Sequence, residues 1–285
     1  MEDIDTILAS TQQAVQRHHD PGPDSRCRIG IAPCSPFSVT ADLLRESAAL
    51  ARDLGVRLHT HLAETTDEEQ FCQERFGARP LDYLESLGWL GPDVWVAHGI
   101  HFSGSDIARL AATGTGVAHC PCSNARLGAG ICRTHDLLAA GVPVGLGVDG
   151  AASNEASSLI EEARMALLLA RASGGPTALG VREALGLATI GGARVLGWDA
   201  DIGSLEVGKA ADVALWRVDT LAHAGIVDPV AAVVLGTPPP LELLLVGGEE
   251  VVRDGHLVTA DERELAFDAQ LAAERLLARD AATRS

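Results

Sequence analysis

Titratable residues follow three apolar segments of the chain. His61 ends the segment 56–62 and precedes Glu64 by three positions, and His98 ends the apolar segment 94–98. Asp149 comes directly after the segment 144–148. An imidazole can ligate a metal ion, and a nearby carboxylate can move a proton from water to a leaving group. These residue types therefore predict a metal-dependent hydrolytic site, provided that the chain leaves strand geometry after Leu62 so that His61 and Glu64 can meet.

Each of these residues also has a purely structural interpretation. His61 and Glu64 are compatible with a strand-end histidine and an ordinary helix start, and a lone histidine such as His98 more often has a structural role. Asp149 can cap the turn that follows it, although a carboxylate leaving an apolar strand needs a cation or hydrogen-bond donors. His59 shares a strand face with His61, so an alternating histidine pair stays open. The recurrence at three strand ends favours the catalytic interpretation.

Short apolar segments separated by helical patterns must position these residues. The predicted strands cover residues 27–32, 56–62, 94–98, 116–118 and 144–148. The predicted helices cover residues 4–19, 41–54, 82–87, 105–112 and 134–140, with Thr40 capping the second and Gly55 ending it. This alternation predicts a parallel α/β architecture. Because polar residues collect after the strands and no glycine-rich phosphate loop follows any of them, a (β/α)8 barrel is favoured over a doubly wound sheet.

Only five barrel strands precede Asp149, so the expected fold is an incomplete (β/α)8 barrel comprising strands 4–8, with three βα units expected before Met1. Beyond Asp149, helices are predicted over residues 155–171, with Asn154 as N-cap, and over residues 181–196.

The last part of the chain has a different pattern. Short strands are predicted at residues 212–216, 242–246, 250–253 and 256–258, which together indicate a small C-terminal β-sandwich portion. Residues 261–279 predict a charged amphipathic helix. The expected domains are a partial barrel (1–200), the sandwich portion (201–260) and a C-terminal helix (261–285).

Composition excludes several classes of function. The 285 residues carry a formal net charge of −17, which disfavours binding to nucleic-acid polymers and to anionic membranes. The six cysteines follow neither a zinc-ribbon nor a small secreted-domain pattern, which favours free thiols. The sequence shows no signal peptide and no apolar run of about 18 residues. A cytoplasmic protein with a small-molecule substrate is therefore predicted, and homo-oligomerisation stays open.

The motifs around these residues resemble those of a known family. The resemblance is carried by residues 61–64, 97–98, 148–154 and 188–212. They are similar to the cytosine- and guanine-deaminase-like branch of the amidohydrolase superfamily, and the resemblance covers essentially the whole chain. It implies one zinc or iron ion bound by His61 and Asp149, with Glu64 as proton shuttle and His98 orienting the hydrolytic water. It also implies two further ligands in an H-x-H motif on barrel strand 1, which are expected upstream of Met1 and absent here.

Two further segments narrow the resemblance. Residues 32–39 and 119–130 are similar to the 8-oxoguanine deaminases, and the related hydroxytriazine aminohydrolases look much the same. The implied substrate contacts are Cys34 and Arg126, although Arg126 can equally pack along the rim. The implied reaction is hydrolysis of 8-oxoguanine to urate and ammonia.

Three alternatives to this reaction stay open: amine or halide removal from an s-triazine, a non-catalytic truncated family member, and cyclic-amide hydrolysis. Cyclic-amide hydrolysis is disfavoured because it would need a lysine, in carbamylated form, at the end of barrel strand 4. Cys34 follows that strand instead, which is the first predicted strand of this chain.

Overall fold

A computed structural model describes residues 3–284 of the chain, and it contains two sheets. The first sheet is parallel and has five strands in chain order: β1 (Gly30–Ile31), β2 (Arg57–Leu62), β3 (Val94–His98), β4 (Gly116–His119) and β5 (Val144–Leu146). Each strand pairs with the next one in parallel register. The predicted parallel α/β architecture is confirmed, and each strand falls within the segment predicted for it or extends it by one residue.

One helix precedes the parallel sheet and six others connect its strands. They are α1 (Ile4–His18), α2 (Ala41–Leu54), α3 (Thr66–Phe76), α4 (Pro80–Ser86), α5 (Gly104–Thr113), α6 (Pro121–Leu127) and α7 (Thr134–Ala139). Thr40 caps α2 by accepting a hydrogen bond from the Leu43 N–H, and Gly55 ends it in a left-handed conformation, as predicted. The sequence analysis missed α3 and α6; α3 follows the strand that carries His61, and α6 itself contains Arg126.

The helix predicted over residues 155–171 begins later than expected. It is α8 (Leu159–Gly174), and its N-cap is Ser158, whose side chain accepts a hydrogen bond from the Glu161 N–H. The prediction of Asn154 as the N-cap is wrong. The Asn154 side-chain amide donates instead to the Val148 carbonyl at 2.8 Å, so it fixes the turn after β5 rather than a helix terminus.

A nearly continuous helical segment follows α8. It consists of α9 (Val181–Gly186), a π-helical turn (Leu187–Gly191) and α10 (Gly192–Val195). This segment packs directly on β5. A Cβ atom on Gly145 would lie 2.7 Å from the Gly192 Cα atom, so the close approach of strand and helix requires glycine at position 145.

The second sheet is antiparallel and lies in the C-terminal part of the chain. Its strands are β6 (Val213–Trp216), β7 (Leu241–Val246), β8 (Glu249–Arg253) and β9 (His256–Leu257), in that order. All four were predicted to within one residue at each end. Helix α11 (Pro229–Leu235) connects β6 to β7, and α12 (Glu262–Arg284) follows β9. Four large apolar side chains of α12 are exposed: Leu265, Phe267, Leu276 and Leu277.

The alternating pattern of β2 shows how the parallel sheet presents its polar residues. Leu58, Thr60 and Leu62 are fully buried, and Leu58 and Leu62 belong to the hydrophobic core. His59 and His61 alternate with them and are only partly buried, so they lie on the opposite face of the sheet.

Among the described residues, no helix is both long enough and apolar enough to cross a bilayer.

Candidate metal centre

The three predicted site segments meet at the carboxyl edge of the parallel sheet. The register between β2 and β3 pairs Leu62 with His98, so His61 and His98 lie on neighbouring strands. Their imidazole rings are stacked with centroids 5.4 Å apart. Since the carboxyl ends of parallel strands form one edge, Asp149 after β5 reaches the same region.

The backbone changes direction sharply at each of these strand ends. Ala63, His98 and Asp149 have φ angles of 53°, 70° and 62°, which is the left-handed region that non-glycine residues rarely adopt. The chain therefore leaves strand geometry directly after Leu62, as predicted from the spacing of His61 and Glu64. Such conformations are about 1 kcal/mol or more unfavourable for each residue, and they concentrate at functional sites.

The orientation of His61 is fixed by a backbone carbonyl. Its Nδ1 atom lies 2.7 Å from the carbonyl oxygen of Cys34. A carbonyl oxygen only accepts hydrogen bonds, so Nδ1 carries the proton and donates it. The Nε2 atom of His61 is then unprotonated and available as a metal ligand.

His98 is held in the same way by a side chain. It is almost completely buried, and its Nδ1 atom lies 2.8 Å from the Oδ1 atom of Asn124 in the middle of α6. The amide oxygen accepts the Nδ1 proton, which again leaves Nε2 free to accept or to ligate. The Nε2 atom of His98 lies 3.6 Å from the Oε2 atom of Glu64.

Asp149 is surrounded by hydrogen-bond donors. Ser123 donates to its Oδ2 atom at 2.5 Å and Ser153 donates to the same atom at 3.1 Å, while the Gly150 N–H donates to Oδ1 at 2.7 Å. Burial opposes ionisation of this carboxyl, but the hydrogen bonds from Ser123 and Gly150 act against it, and the pKa of Asp149 is lowered. The carboxylate is therefore ionised at neutral pH and suited to a cation.

These three residues form a group that can hold a metal ion. His61, His98 and Asp149 each present one ligand atom, and the three atoms lie within 4.8 Å of one another. Two imidazoles and a carboxylate are typical zinc ligands, and a carbonyl oxygen already holds the second nitrogen of each histidine. The donor set therefore fits a divalent metal ion. The structure brings together all four residues that the sequence analysis placed at the centre of the site.

Two further histidines lie close to the group but are poor candidates for protonation. Burial and the neighbouring His61 lower the pKa of His59 to about 4, and its ring stacks on Trp95 with centroids 4.9 Å apart. His119 is fully buried, and burial together with His98 lowers its pKa to about 3. Both side chains are neutral at pH 7, so they add no positive charge to the centre.

A buried carboxylate fastens the turn that carries Asp149. Glu162 on α8 is fully buried, accepts the Cys122 N–H at 3.0 Å, and accepts the Asn154 side-chain amide at 2.5 Å. Burial raises the pKa of Glu162. Through Asn154 this carboxylate connects α8 to the turn after β5, and through Cys122 it connects α8 to the start of α6.

The two predicted substrate contacts have different surroundings. Cys34 is exposed, and its contribution to the centre is its carbonyl oxygen, which accepts from the His61 side chain, from the His61 N–H and from the Thr60 hydroxyl. Arg126 is half-exposed and forms an ion pair with Glu155 at 2.5 Å. Both interpretations of Arg126, a substrate contact and packing along the rim, stay predictions.

The cysteines divide into two groups. Cys27 and Cys34 are exposed, whereas the other four are buried or half-buried: Cys72, Cys120, Cys122 and Cys132. Burial raises the pKa of each of these four thiols to about 12. The four are therefore protonated at neutral pH and unreactive.

Sequence reasoning missed Ser123 and Asn124, which hold Asp149 and His98. The only signal for them was their position just after the strand end at His119, within a segment singled out for its family resemblance. The contacts that they make span 26 residues of the chain, so local patterns carry no information about them.

The sequence model for the amidohydrolase family matches residues 7–251. The chain belongs to this family. The centre described above therefore lies in an amidohydrolase fold, and the resemblance inferred from the motifs is confirmed.

Individual relatives support the same assignment. The 8-oxoguanine deaminase of Pseudomonas aeruginosa is 50% identical over 278 residues, which cover 98% of this chain and 62% of the relative. The hydroxydechloroatrazine ethylaminohydrolase of a Pseudomonas species is 43% identical over 93% of this chain and 56% of the relative. Among solved structures, the atrazine chlorohydrolase of Arthrobacter aurescens, complexed with zinc, superposes with a TM-score of 0.91 at 31% identity, covering 95% of this chain and 60% of that one. The chain spans about three fifths of the length of these relatives.

Proposed function

We propose that the chain belongs to a hydrolytic deaminase that acts on an oxidised purine and converts 8-oxoguanine and water to urate and ammonia. In this proposal the chain supplies the residues that transfer protons and some of the residues that bind the metal ion. The observation that carries the proposal is the convergence of three ligand atoms within 4.8 Å, with the Glu64 carboxylate 3.6 Å from His98. The 50% identity to an 8-oxoguanine deaminase supports the choice of substrate.

The residues that would hold the metal ion are His61 and Asp149, and His98 lies within reach of the same position. Zinc is proposed rather than iron because a related structure contains zinc. A bound divalent cation lowers the pKa of a water molecule to near neutrality and thereby supplies the nucleophile.

The remaining chemistry belongs to side chains of this chain. Glu64 accepts the proton of the attacking water and delivers protons to the ring nitrogen and then to the leaving amine, which departs as ammonia. His98 presents an unprotonated Nε2 atom beside Glu64, so it orients the water as a hydrogen-bond acceptor. Ser123 and Ser153 keep Asp149 ionised through their hydrogen bonds. Cys34 and Arg126 are proposed substrate contacts at the rim.

We also propose the architecture in which this chemistry works. The five parallel strands would be strands 4–8 of a (β/α)8 barrel, and the four antiparallel strands would be part of a β-sandwich. The domain limits at residues 200 and 260, the cytoplasmic location and homo-oligomerisation stay predictions from the sequence.

A second function is favoured by a specific observation. The chain is 43% identical to a hydroxydechloroatrazine ethylaminohydrolase, so removal of an amine from an s-triazine is the competing activity. Both reactions replace a ring substituent by an oxygen from water, and both use Glu64 in the same role. They differ in the ring that the rim residues recognise and in the group that leaves it.

The test is a substrate panel with the zinc-loaded protein, both as the 285-residue chain and in a form extended upstream by the three expected βα units. We expect release of ammonia from 8-oxoguanine to exceed release of amine or chloride from s-triazines, and Glu64→Gln to abolish turnover because it removes the proton carrier. Glu85→Gln is the matched control, since Glu85 is an exposed residue that pairs with Arg109 and has no part in the centre described above. Near-wild-type turnover in Glu64→Gln would contradict the mechanism. Absence of both turnover and stoichiometric zinc in the wild-type chain would favour a non-catalytic family member.

A further inference from the structure

Glu68 is a buried carboxylate that the mechanism does not use. It lies on the first turn of α3, four residues after Glu64, and only 2% of its surface is exposed. Its Oε2 atom accepts a hydrogen bond from the Glu64 N–H at 2.9 Å. Burial disfavours the charge of a carboxylate in such a place, so the group opposes folding unless its hydrogen bonds compensate for the lost hydration.

The sequence around Glu68 has the pattern of a helix capping box. Thr65 is the N-cap of α3 and accepts the Glu68 N–H at 3.2 Å. In a capping box, the carboxylate at this position of the first turn would return to the N–H of Thr65 itself. Here the Glu68 side chain reaches one residue further back, to the N–H of Glu64. The carboxylate therefore restrains the residue that carries the proposed proton, not the helix terminus alone.

The other side of the same turn is fixed by the neighbouring strand connection. The carbonyl oxygen of Ala63 accepts hydrogen bonds from the Ile100 N–H at 2.8 Å and from the His101 N–H at 3.0 Å. Ala63 is in the left-handed conformation, so this turn has little intrinsic stability of its own. Loss of the Glu68 contact would leave the Glu64 side of the turn held only by neighbouring backbone.

Helix α3 is itself anchored, so that Glu68 is a fixed acceptor. Glu69 pairs with Arg79, and Arg79 also donates to Asp106 at 2.7 Å and to the His101 carbonyl at 3.2 Å. The same arginine thus connects α3 with the segment after His98. The positions of Glu68, Glu64 and the His98 turn are coupled through these contacts.

We infer that Glu68 is a positioning residue for Glu64: its carboxylate oxygen holds the Glu64 backbone so that the Glu64 side chain stays beside His98. This inference rests on the proposed function for the role of Glu64, but the restraint itself is independent of the substrate. The pKa of Glu68, raised to about 7 mainly by burial, is consistent with a group kept at this place for its acceptor oxygen rather than for its charge.

The variants that test it separate the acceptor from the packing. Glu68→Gln keeps an acceptor oxygen and the shape of the side chain, whereas Glu68→Met keeps the approximate size and removes the acceptor. Cys72→Ala is the matched control, because Cys72 is fully buried one turn further along the same helix and its side chain forms no hydrogen bond with the Glu64 turn. All three are made in the 285-residue chain.

The first measurement is hydrogen exchange at the Glu64 amide, which does not depend on turnover. We expect protection of this amide to fall roughly tenfold or more in Glu68→Met, and to stay within about threefold of wild type in Glu68→Gln and Cys72→Ala, since the loss of one buried hydrogen bond is worth about one factor of ten. Unchanged protection in Glu68→Met would overturn the inference, and so would equal losses in Glu68→Met and Cys72→Ala.

The second measurement divides the effect between kcat and KM in the zinc-loaded chain. Misplacement of a catalytic group lowers kcat, so we expect kcat to fall roughly 10- to 100-fold in Glu68→Met with KM within about threefold, and Glu68→Gln to restore kcat. A Glu68→Met effect on KM alone, or no rescue by Glu68→Gln, would overturn the inference. If the wild-type chain has no turnover, the proposed function fails while the exchange measurement still decides the role of Glu68.

Discussion

The two sheets of this molecule hold their charged side chains in opposite ways. At the carboxyl edge of the parallel sheet, the acidic residues are buried or half-buried and each has a specific partner, as Asp149 has in Ser123 and Glu162 in Asn154. In the antiparallel sheet, the pairs Arg217–Glu242 and Arg253–Glu250 have side chains that are 37–56% exposed. The first arrangement fixes the position of a charge, whereas the second mainly keeps a surface hydrated.

The difference indicates at which positions the fold requires one particular polar residue. A buried carboxylate without its donors is strongly unfavourable, so each contact at the parallel edge restricts which residues the position accepts. An exposed ion pair can be exchanged for other polar residues with little effect. The contrast can be measured by substituting one member of each kind of contact.

The largest effect is expected from Asp149→Asn. This change keeps the shape of the side chain and removes the charge that faces His61 and His98, so we expect zinc affinity to fall at least ~100-fold. A zinc titration in competition with a chelator measures it. Asp136→Asn, which alters an exposed acid paired with Arg133, serves as the control and should bind zinc as the wild type does. Equal zinc affinity in Asp149→Asn and wild type would remove Asp149 from the centre.

The second expected effect concerns pH and Glu68. Its folded pKa of about 7 lies above its ordinary value of 4.5, because burial, with smaller contributions from Glu64 and Glu69, disfavours the charge. The unfolded chain therefore loses this proton at lower pH than the folded chain does. The stability that comes from the neutral form is complete below about pH 4.5 and is lost as the pH rises through 7.

Glu68→Gln removes this dependence. Between pH 5 and pH 8, we expect the free energy of unfolding of the wild type to fall relative to that of Glu68→Gln, by up to about 3 kcal/mol. Urea unfolding at a series of pH values measures it. If the free energies of unfolding of the wild type and Glu68→Gln differ by a constant amount over this range, Glu68 does not titrate there. The control variant Cys72→Ala, which retains Glu68, should differ from the wild type by a constant amount.

A smaller effect is expected from the partner of His98. Asn124→Leu removes the oxygen that accepts the His98 Nδ1 proton, so the ring loses the orientation in which its Nε2 atom accepts from the hydrolytic water, and we expect kcat to fall roughly 10- to 100-fold with zinc affinity within about threefold of wild type. Asn124→Asp retains an acceptor at the same place and should keep kcat closer to that of the wild type. Equal kcat in both variants would show that the orientation of His98 does not depend on this contact.

The smallest effect is expected in the antiparallel sheet. Arg217→Ala removes one member of an exposed ion pair, and we expect the urea midpoint of unfolding to change less than in any buried variant above. The small change should disappear in 1 M salt, where exposed charges are screened. An effect as large as that of Glu68→Gln at pH 8 would contradict the comparison between the two sheets.

The sequence was sufficient to predict the strand-end residues of the site. His61, His98 and Asp149 each end or follow an apolar segment, and parallel strands bring such positions to one edge. The antiparallel strands were equally accessible because glycine turns mark their limits. Hydrophobic periodicity and turn residues are local patterns, each a few positions long. The limits of the strands depend mainly on these local patterns, so they could be predicted from the sequence.

The parts that were missed depend on contacts between distant segments. Asn154 has the residue type of a helix cap, but its amide is engaged by Val148 and Glu162, and the helix begins at Ser158 instead. Similarly, the Cys34 carbonyl orients a histidine 27 residues away. Such contacts are created by the order of strands in the sheet, which local pattern does not encode.

The division of the cysteines has a practical consequence for spectroscopy. A thiol-reactive fluorophore or spin label added at neutral pH would modify Cys27 and Cys34, because the other four thiols are shielded and protonated. Replacing Cys27 by serine leaves a single attachment point, one residue whose backbone oxygen orients His61. The rate at which Cys34 reacts with the reagent would then report the arrival of a ligand, because a ligand bound at the rim would cover this thiol, and no engineered cysteine is needed.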